Sequence, residues 1–347
     1  MSFANTIISW FRENGRALPW RETKDPYAIW LSEIILQQTR IAQGWEYWER
    51  FMRQYPTVEK LAAASEDEVL KLWQGLGYYS RARNLHAAAK QIVTLGKFPD
   101  TLDGIKALKG VGDYTAAAIG SFAFDIPAAV LDGNVYRVLA RYFGIDTPIN
   151  TTQGKKEFSV LAQSLIPENV KETIRPNEFD MELSLISAYN QGMMDFGAIQ
   201  CTPQSSKCLL CPLAETCVAL REGRVEKLPV KLKNLKVQIR HLTYIYIRCN
   251  GEVAIHRRSE GDIWQGLWEP YNVSDLPELP LFEAPLVLRA KDVKHVLTHR
   301  ILLADFYQLD VSHRPNLPDG YIWVRESEIE QYGIPRLIEI LLEKVKS

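Results

Sequence analysis

One stretch restricts the fold of this chain more than any other: residues 108–135, LKGVGDYTAAAIGSFAFDIPAAVLDGNV. Lys109-Gly110-Val111-Gly112 reads as a tight loop that opens directly into an Ala-rich helical run, Tyr114 to Ile119. Gly110 and Gly112 lack the Cβ atoms that would keep another backbone at a distance. A helix starting behind such a loop turns its first, unpaired N–H groups toward whatever approaches, which suits a phosphate. Leu108, Val111 and Ile119 give each flanking helix an apolar side to pack. An ordinary Gly-rich turn between two core helices has the same pattern, so the loop alone is weak evidence. What strengthens it is Asp132, in Leu131-Asp132-Gly133-Asn134-Val135, a carboxylate that follows an apolar run and is flanked by Gly and Asn.

A chain of 347 residues with 46% hydrophobic and 24% charged residues suits two globular domains. No apolar run is long enough to span a bilayer. The N-terminal MSFANTIISWFREN is an amphipathic helix pattern with acid in it, unlike a signal peptide, so a cytosolic protein is expected. The net charge is −1, and residues 1–220 carry 22 Lys and Arg against 24 Asp and Glu. Any nucleic-acid-binding face must therefore be a local cluster of charge. Four of the five cysteines, Cys201, Cys208, Cys211 and Cys217, form a C-x6-C-x2-C-x5-C box. Four thiols so close in a cytosolic chain imply metal rather than disulfides, and the spacing by itself leaves zinc and an iron–sulfur cluster both open. Cys249 stands alone in a β-like run and reads as a small buried hydrophobe.

In chain order, a first helix ends at Leu18-Pro19-Trp20-Arg21, and Asp25-Pro26 caps a second that runs through YAIWLSEIILQQTRIAQ. At 100° per residue Glu33 falls between Ile29, Trp30, Leu36 and Gln37, inside an apolar stripe. Most such glutamates are solvated at the edge of a stripe. A desolvated one is a proton donor near neutral pH. Gln37 and Gln38 are long neutral amides of the kind that can fill the gap left by an extruded base. Gly75-Leu76-Gly77 makes a turn followed by Tyr78, Tyr79, Arg81 and Arg83. Residues 166–178 are polar and Pro-broken, a connection with little part in chemistry, and Tyr189 to Ala198 leads into the cysteine box. Residues 221–240 hold seven basic and two acidic residues with no lasting period and read as a basic linker. From His241 the pattern turns to strands: 241–249, 252–258 after Asn250-Gly251, 293–311 and 321–324, then a closing helix from Gly333 to Lys346.

LKGVGDYTAAAI followed by LDGNV resembles the helix–hairpin–helix DNA glycosylase superfamily, and within it the MutY-type adenine DNA glycosylases. LPWR at 18–21, SE-x-x-LQQT from Ser32, GLGYY-x-R-x-RNL from Gly75 and the cysteine spacing with Pro212 extend the likeness over nearly the whole chain. The C-terminal part, with GLWEP at 266–270, is similar to the MutT/Nudix fold but lacks the Glu-rich hydrolase signature, so it should have kept recognition and lost pyrophosphatase chemistry.

The resemblance implies an all-helical helix–hairpin–helix glycosylase domain at 1–220 that includes an iron–sulfur loop at 198–218. A linker at 221–237 and a Nudix-like α+β lesion-recognition domain at 238–347 follow. It implies a monofunctional base excision repair enzyme that flips and hydrolytically removes adenine opposite 8-oxoguanine or guanine, preventing G:C to T:A transversions. In that family the positions of Glu33 and Asp132 belong to the catalytic acid and the carboxylate that stabilises an oxocarbenium-like sugar; Tyr114 and Asn134 position these groups and the water. Arg21 lines the adenine pocket, Gln191 contacts the adenine edge, Gln38 is a wedge and Tyr78 inserts beside the oxidised guanine. Arg81 and Arg83 take phosphate contact or structure, and Gly110 and Gly112 take the DNA backbone. The box Cys201, Cys208, Cys211, Cys217 then holds a [4Fe–4S] cluster of structural role, with Lys207 facing DNA. Relatives of the endonuclease III type carry a Schiff-base Lys where this chain has Tyr114, so strand cleavage is not expected here. The family's recognition loop reads HxFSH. This chain has His295-Val296-Leu297-Thr298-His299, which keeps a hydroxyl at Thr298 beside His299 and replaces Phe by Leu. Double-stranded DNA is the expected partner, with no membrane, and the protein is expected to be a monomer of the bacterial cytosol, associated with the nucleoid through DNA. A thymine or pyrimidine-lesion glycosylase of the same fold is disfavoured by the C-terminal domain. A catalytically silent DNA- or metal-binding protein is disfavoured by Glu33 and Asp132 together.

Overall fold

The computed structural model describes residues 2–169, 172–232, 237–274, 276 and 282–346. Residues 233–236 of the basic linker lie outside the described residues. The chain packs as two units: Met1–Glu59 with Ala87–Lys233, and Lys60–His86 with Asn234–Ser347. The sequence reading placed residues 60–86 in the first domain, whereas in the structure they group with the C-terminal part.

In chain order the helices are α1 (Phe3–Asn14), α2 (Pro26–Leu36), α3 (Ile41–Gln54), α4 (Val58–Ala63), α5 (Glu66–Trp73), α6 (Ser80–Leu95), α7 (Leu102–Lys106) and α8 (Asp113–Ala123). α9 (Gly133–Phe143), α10 (Thr152–Ser164), α11 (Leu185–Asp195), α12 (Val218–Arg221) and α13 (Arg336–Lys346) complete the set. Asp25 caps α2 by accepting from the N–H groups of Tyr27 and Ala28, with Pro26 at the first helical position, as its sequence dictates. The sequence reading carried α2 on to Gln43. The structure ends it at Leu36, because Gln38 adopts φ 57°, a left-handed conformation that no α-helix propagates through. Nor is α2 striped: Tyr27 through Ile35 are all buried, so Glu33 lies in a helix enclosed on every side.

α7 and α8 flank the Lys109–Gly112 loop. Gly110 has φ +78°, which excludes most side chains, while Gly112 is extended backbone with open space where a Cβ would stand. Asp132 caps α9, and the left-handed Gly144 ends it. One core cluster of the first unit joins Ile7, Val135, Leu139, Phe158, Met193 and Phe196, so α1, α9, α10 and α11 share one apolar interior. Between α10 and α11 lies a short antiparallel pair, β1 (Thr173–Ile174) in the 166–178 connection with β2 (Leu183–Ser184) beyond it.

In the second unit β3 (Gln238–Cys249), β4 (Glu252–Arg257), β5 (Trp268–Glu269), β6 (Tyr271–Asn272), β7 (Val287–Val296), β8 (Arg300–Val311) and β9 (Tyr321–Arg325) form one mixed sheet. β3 runs parallel to β8 and antiparallel to β4, and β7–β8 is an antiparallel hairpin. Leu337, Ile338 and Leu341 of α13 pack on Tyr244, Leu302 and Phe306 at one face of this sheet, and Ile245, Ile247 and Leu309 make a second core. Cys249 is buried in β3, as the sequence indicates. Among the described residues no helix is long and apolar enough to cross a membrane.

Candidate active site

A cavity of about 790 Å³ in the first unit gathers residues far apart in sequence. The loop ahead of α2 gives Trp20 and Arg21, α2 gives Glu33, α8 gives Tyr114, and the start of α9 gives Asp132 and Asn134. Gln37 and Gln38 stand at its edge in the turn after α2. Four separated signals in the sequence, at 18–21, 32–39, 108–119 and 131–135, thus meet in one concave site.

Glu33 is buried, and its Oε2 accepts a 2.7 Å hydrogen bond from the Tyr114 hydroxyl. Burial pushes its carboxyl up to about 7; the Tyr114 bond and the Arg21 charge pull down, and Asp132 pushes up again. A carboxyl with that midpoint is a proton donor at neutral pH. Burial and the neighbouring carboxylates hold the Tyr114 phenol well above its ordinary range, so it stays protonated and donates.

Asp132 caps α9: Oδ1 accepts from the Val135 N–H at 2.8 Å and Oδ2 from the Asn134 amide at 2.7 Å. Burial raises its carboxyl, and the Val135 and Asn134 bonds oppose the rise. Asn134 Oδ1 accepts from Arg137 at 2.9 Å, and Arg137 Nε donates to the Cys201 carbonyl at 2.7 Å. Sequence reasoning missed Arg137. Its place three residues after Asn134, on the same helix face, was the available signal.

The remaining candidates are placed as follows. Arg21 is buried, with Nη1 and Nη2 donating to Asp195 at 2.8 and 2.9 Å, a partner the sequence reading did not anticipate. Gln191 is buried in α11 and does not line the cavity; its amide donates to Ser187, and its Oε1 has no partner. Gly110 and Gly112 are exposed at the start of α8. In the second unit Tyr78 is 46% exposed with φ 48°, and its hydroxyl is hydrogen-bonded to Thr298 Oγ1. The 295–299 segment is tighter than a five-residue loop: His295 belongs to β7, paired with Leu302, and only Leu297 to His299 turn the hairpin. Thr298 and His299 are exposed at its tip. Arg81 lies over the rings of Trp73 and Tyr78, and Arg83 donates to the Gln265 carbonyl at 2.7 Å, so both are engaged within the protein.

Cys201, Cys208, Cys211 and Cys217 line one small cavity with Arg141 as free thiols. Among the described residues no group of three or more His, Cys, Asp or Glu side chains is drawn together as a site for a metal ion. The chemistry of the donor set nevertheless fits a thiolate-ligated group. Burial raises the Cys208 and Cys211 thiols, Cys201 and Cys217 raise both further, and Arg141 Nη1 lies 3.4 Å from Cys201 Sγ. The Cys208 and Cys211 thiols, whose ionisation burial and their neighbours oppose, would be relieved by a shared cationic partner.

Residues 31–164 match the HhH-GPD superfamily of base excision DNA repair proteins, and residues 243–344 match the NUDIX domain. An adenine DNA glycosylase of Buchnera aphidicola subsp. Acyrthosiphon pisum (strain APS) is 30% identical, covering 99% of this chain and 97% of that protein. The chain belongs to the adenine DNA glycosylases. It is therefore a DNA N-glycosylase, a hydrolase whose partner is DNA. The adenine DNA glycosylase of Buchnera aphidicola subsp. Schizaphis graminum (strain Sg) is 34% identical over 77% of this chain and 73% of that protein. Among solved structures, a thermostable thymine-DNA glycosylase superposes with a TM-score of 0.55 at 30% identity, covering 63% of this chain and 95% of that one. The helical glycosylase architecture and the Nudix-like sheet domain expected from the sequence are thus both present.

Proposed function

We propose that this glycosylase excises adenine mispaired with 8-oxoguanine or guanine, and so prevents G:C to T:A transversions. The observation that carries the reading is the buried Glu33 carboxyl, hydrogen-bonded by Tyr114 in a cavity that also holds Asp132. Adenine leaves the sugar slowly as an anion and readily once N7 is protonated, and Glu33 supplies that proton. The sugar left behind is oxocarbenium-like. Asp132, held in place by the Val135 and Asn134 donors, which favour its charged form against burial, stabilises it, and water completes hydrolysis. Tyr114 holds Glu33 in register, and Asn134 orients Asp132. Because a phenol cannot form an imine, Tyr114 leaves the enzyme a monofunctional glycosylase without a strand-cleaving step.

Arg21 forms part of the adenine pocket; Gln191 keeps an unpaired Oε1, an acceptor for an amino group, but it is not part of the cavity lining, so its contact with adenine requires that lining to open toward α11. Gln38 and Tyr78, both at left-handed φ, act on the duplex: Gln38 as wedge and Tyr78 beside the oxidised guanine, with Thr298 and His299 reading its edge. Gly110 and Gly112 take the DNA backbone. Cys201, Cys208, Cys211 and Cys217 would hold a [4Fe–4S] cluster, which would cross-link the loop they lie on and present Lys207 to DNA. Residues 1–220 carry the chemistry and 238–347 the lesion preference, in a protein acting as a monomer. Single-turnover excision from duplexes carrying adenine opposite 8-oxoguanine, guanine and cytosine tests the reading. Equal rates on the three would refute the assigned preference, and no excision on any would refute the activity.

A further inference from the structure

Asp195 is the last residue of α11, and its side chain is wholly buried. Five donors converge on it. Oδ2 accepts from the Arg16 backbone N–H at 3.0 Å and from Arg21 Nη1 at 2.8 Å. Oδ1 accepts from Arg16 Nε at 3.0 Å, from Arg16 Nη2, and from Arg21 Nη2 at 2.9 Å. Arg21 Nη1 also donates to the Arg16 carbonyl at 3.1 Å, which closes the loop on itself. Burial alone would raise the Asp195 carboxyl. The guanidiniums of Arg21 and Arg16 hold it at about 2, so it is an anion throughout the working range.

Asp195 does not line the cavity, but Arg16, Trp20 and Arg21 do. Its two effects therefore reach the chemistry through others. One is geometric: a loop without regular structure, ending in a single 3₁₀ turn at Pro19–Arg21, is tied to the end of a buried helix. The other is electrostatic. Arg16 and Arg21 bring two positive charges to this wall and Asp195 removes one. The groups acting on Glu33 are Arg21 from that loop, the neutral phenol of Tyr114 from α8, and Asp132 at the cap of α9, while Arg40 after α2 and Arg137 of α9 line the same cavity. A second uncompensated cation on the Arg21 side would favour ionised Glu33 and take away the proton that adenine needs.

We propose that Asp195 is a positioning residue of this glycosylase, holding Arg16 and Arg21 as the polar wall of the cavity and limiting the charge of that wall to one net positive. The inference rests on Glu33 being the proton donor. It makes the net charge of the Arg16–Arg21–Asp195 cluster a dial for the basic limb of the pH–rate profile. That charge is +1 in the wild type, +2 in Asp195→Asn, 0 in Arg16→Gln and +1 again in the double variant.

The test is single-turnover excision of adenine from a duplex between pH 5.5 and 9 for these four proteins. Asp195→Asn should move the basic limb down by about half a pH unit or more, a rate loss of roughly threefold at pH 8 beyond any loss at pH 6. Arg16→Gln should move it up, and the double variant should return it toward the wild-type position even if its maximal rate is lower. A merely structural clamp predicts equal losses at every pH, with the double variant worst and no limb displaced, and that result overturns the proposal. Should Asp195→Asn fail to fold, Arg16→Gln decides by the direction of its shift: upward supports the charge dial, and no shift ends it. A wild-type profile with no basic limb, or undiminished excision by Glu33→Gln, would overturn the reading of Glu33 and the proposal together. Loss of activity in Glu33→Gln with an unmoved limb in the Asp195 and Arg16 variants overturns the proposal alone.

Discussion

The cavity around Glu33 and the hairpin tip around Thr298 solve opposite problems. In the cavity Glu33 is buried, Asp132 is fixed by a helix cap, and both carboxylates have donors in place before any substrate arrives. At the tip Thr298 and His299 are exposed, and the partner of Thr298 is a Tyr78 that is itself 46% exposed at φ 48°. Proton transfer to a base needs a desolvated carboxyl with a displaced midpoint, which only a packed interior provides. Reading the edge of a base needs groups that can leave their partner and meet the duplex. The contrast predicts that changes in the cavity alter rate by orders of magnitude, and that changes at the tip alter preference by small factors.

The largest expected effect is that of Glu33→Gln. Removing the proton donor should lower single-turnover excision by about a thousandfold, while duplex affinity, read by filter binding or anisotropy, changes little. The same substitution should stabilise the protein. Glu33 is protonated with a midpoint of about 7 in the fold against 4.5 for the free side chain. Its contribution is therefore fully present below 4.5 and is lost as pH rises through 7. Above pH 8 the wild type carries a buried carboxylate, and the Gln variant should be more stable by roughly 2–3 kcal/mol in denaturant titrations. At pH 5 the gap should shrink to about 1 kcal/mol or slightly less. A variant that is no more stable at pH 8 would show that Glu33 is not desolvated.

Next comes Asp132→Asn. Asn caps helices as well as Asp does, so α9 should survive with a loss of under about 1 kcal/mol. Excision should nonetheless fall by roughly a hundredfold, because the charge opposite the developing cation is gone. A variant that loses stability and rate in proportion would reduce Asp132 to a cap. Intermediate in expected effect is the cysteine box. The purified protein should contain iron and sulfide, and Cys208→Ser should lower both iron content and DNA affinity, the latter by about tenfold, with less effect on the rate of bound substrate. Zinc without iron would overturn the cluster assignment.

How much of this was legible in the sequence differs between the two regions for a physical reason. Glu33, Tyr114, Asp132 and Asn134 each sit within a helix or one residue from a helix start, where local patterns dictate backbone and direction, and the cavity unites them. The end of α2 was not legible: Leu36-Gln37-Gln38-Thr39 are all acceptable in a helix, and nothing local announces a left-handed glutamine. The partnership of residues 60–86 with the C-terminal sheet was hidden as well. It rests on long-range polar contacts, Arg257 to Glu66 at 2.9 Å and Arg83 to the Gln265 carbonyl at 2.7 Å. Asp195 was visible as a residue but not as a hub, since its partners lie more than 170 positions away.

The partnership of residues 60–86 with the C-terminal sheet changes how the tip must be tested. Cutting the chain near Arg221 would remove the partners of Glu66, Tyr78 and Arg83 at once, so a loss of preference could not be assigned to the turn. Thr298→Ala in the full chain is the cleaner and smallest perturbation. Thr298 is exposed in the hairpin turn closed by the Leu297 N–H to the Arg300 carbonyl at 2.8 Å, and Ala leaves that bond intact. Tyr78 loses its partner but remains open to water, so the stability change should stay within about 0.5 kcal/mol. A hydroxyl that hydrogen-bonds a distinguishing group on a base is worth about 1–3 kcal/mol of discrimination. Here it must first release Tyr78, which takes the expectation to the low end. The ratio of excision rates for adenine opposite 8-oxoguanine over adenine opposite guanine should therefore fall by roughly three- to tenfold, with Thr298→Ser close to wild type. If the ratio is unchanged in both variants, Thr298 is a surface turn residue, and lesion preference belongs to Tyr78 and Gln38 without it.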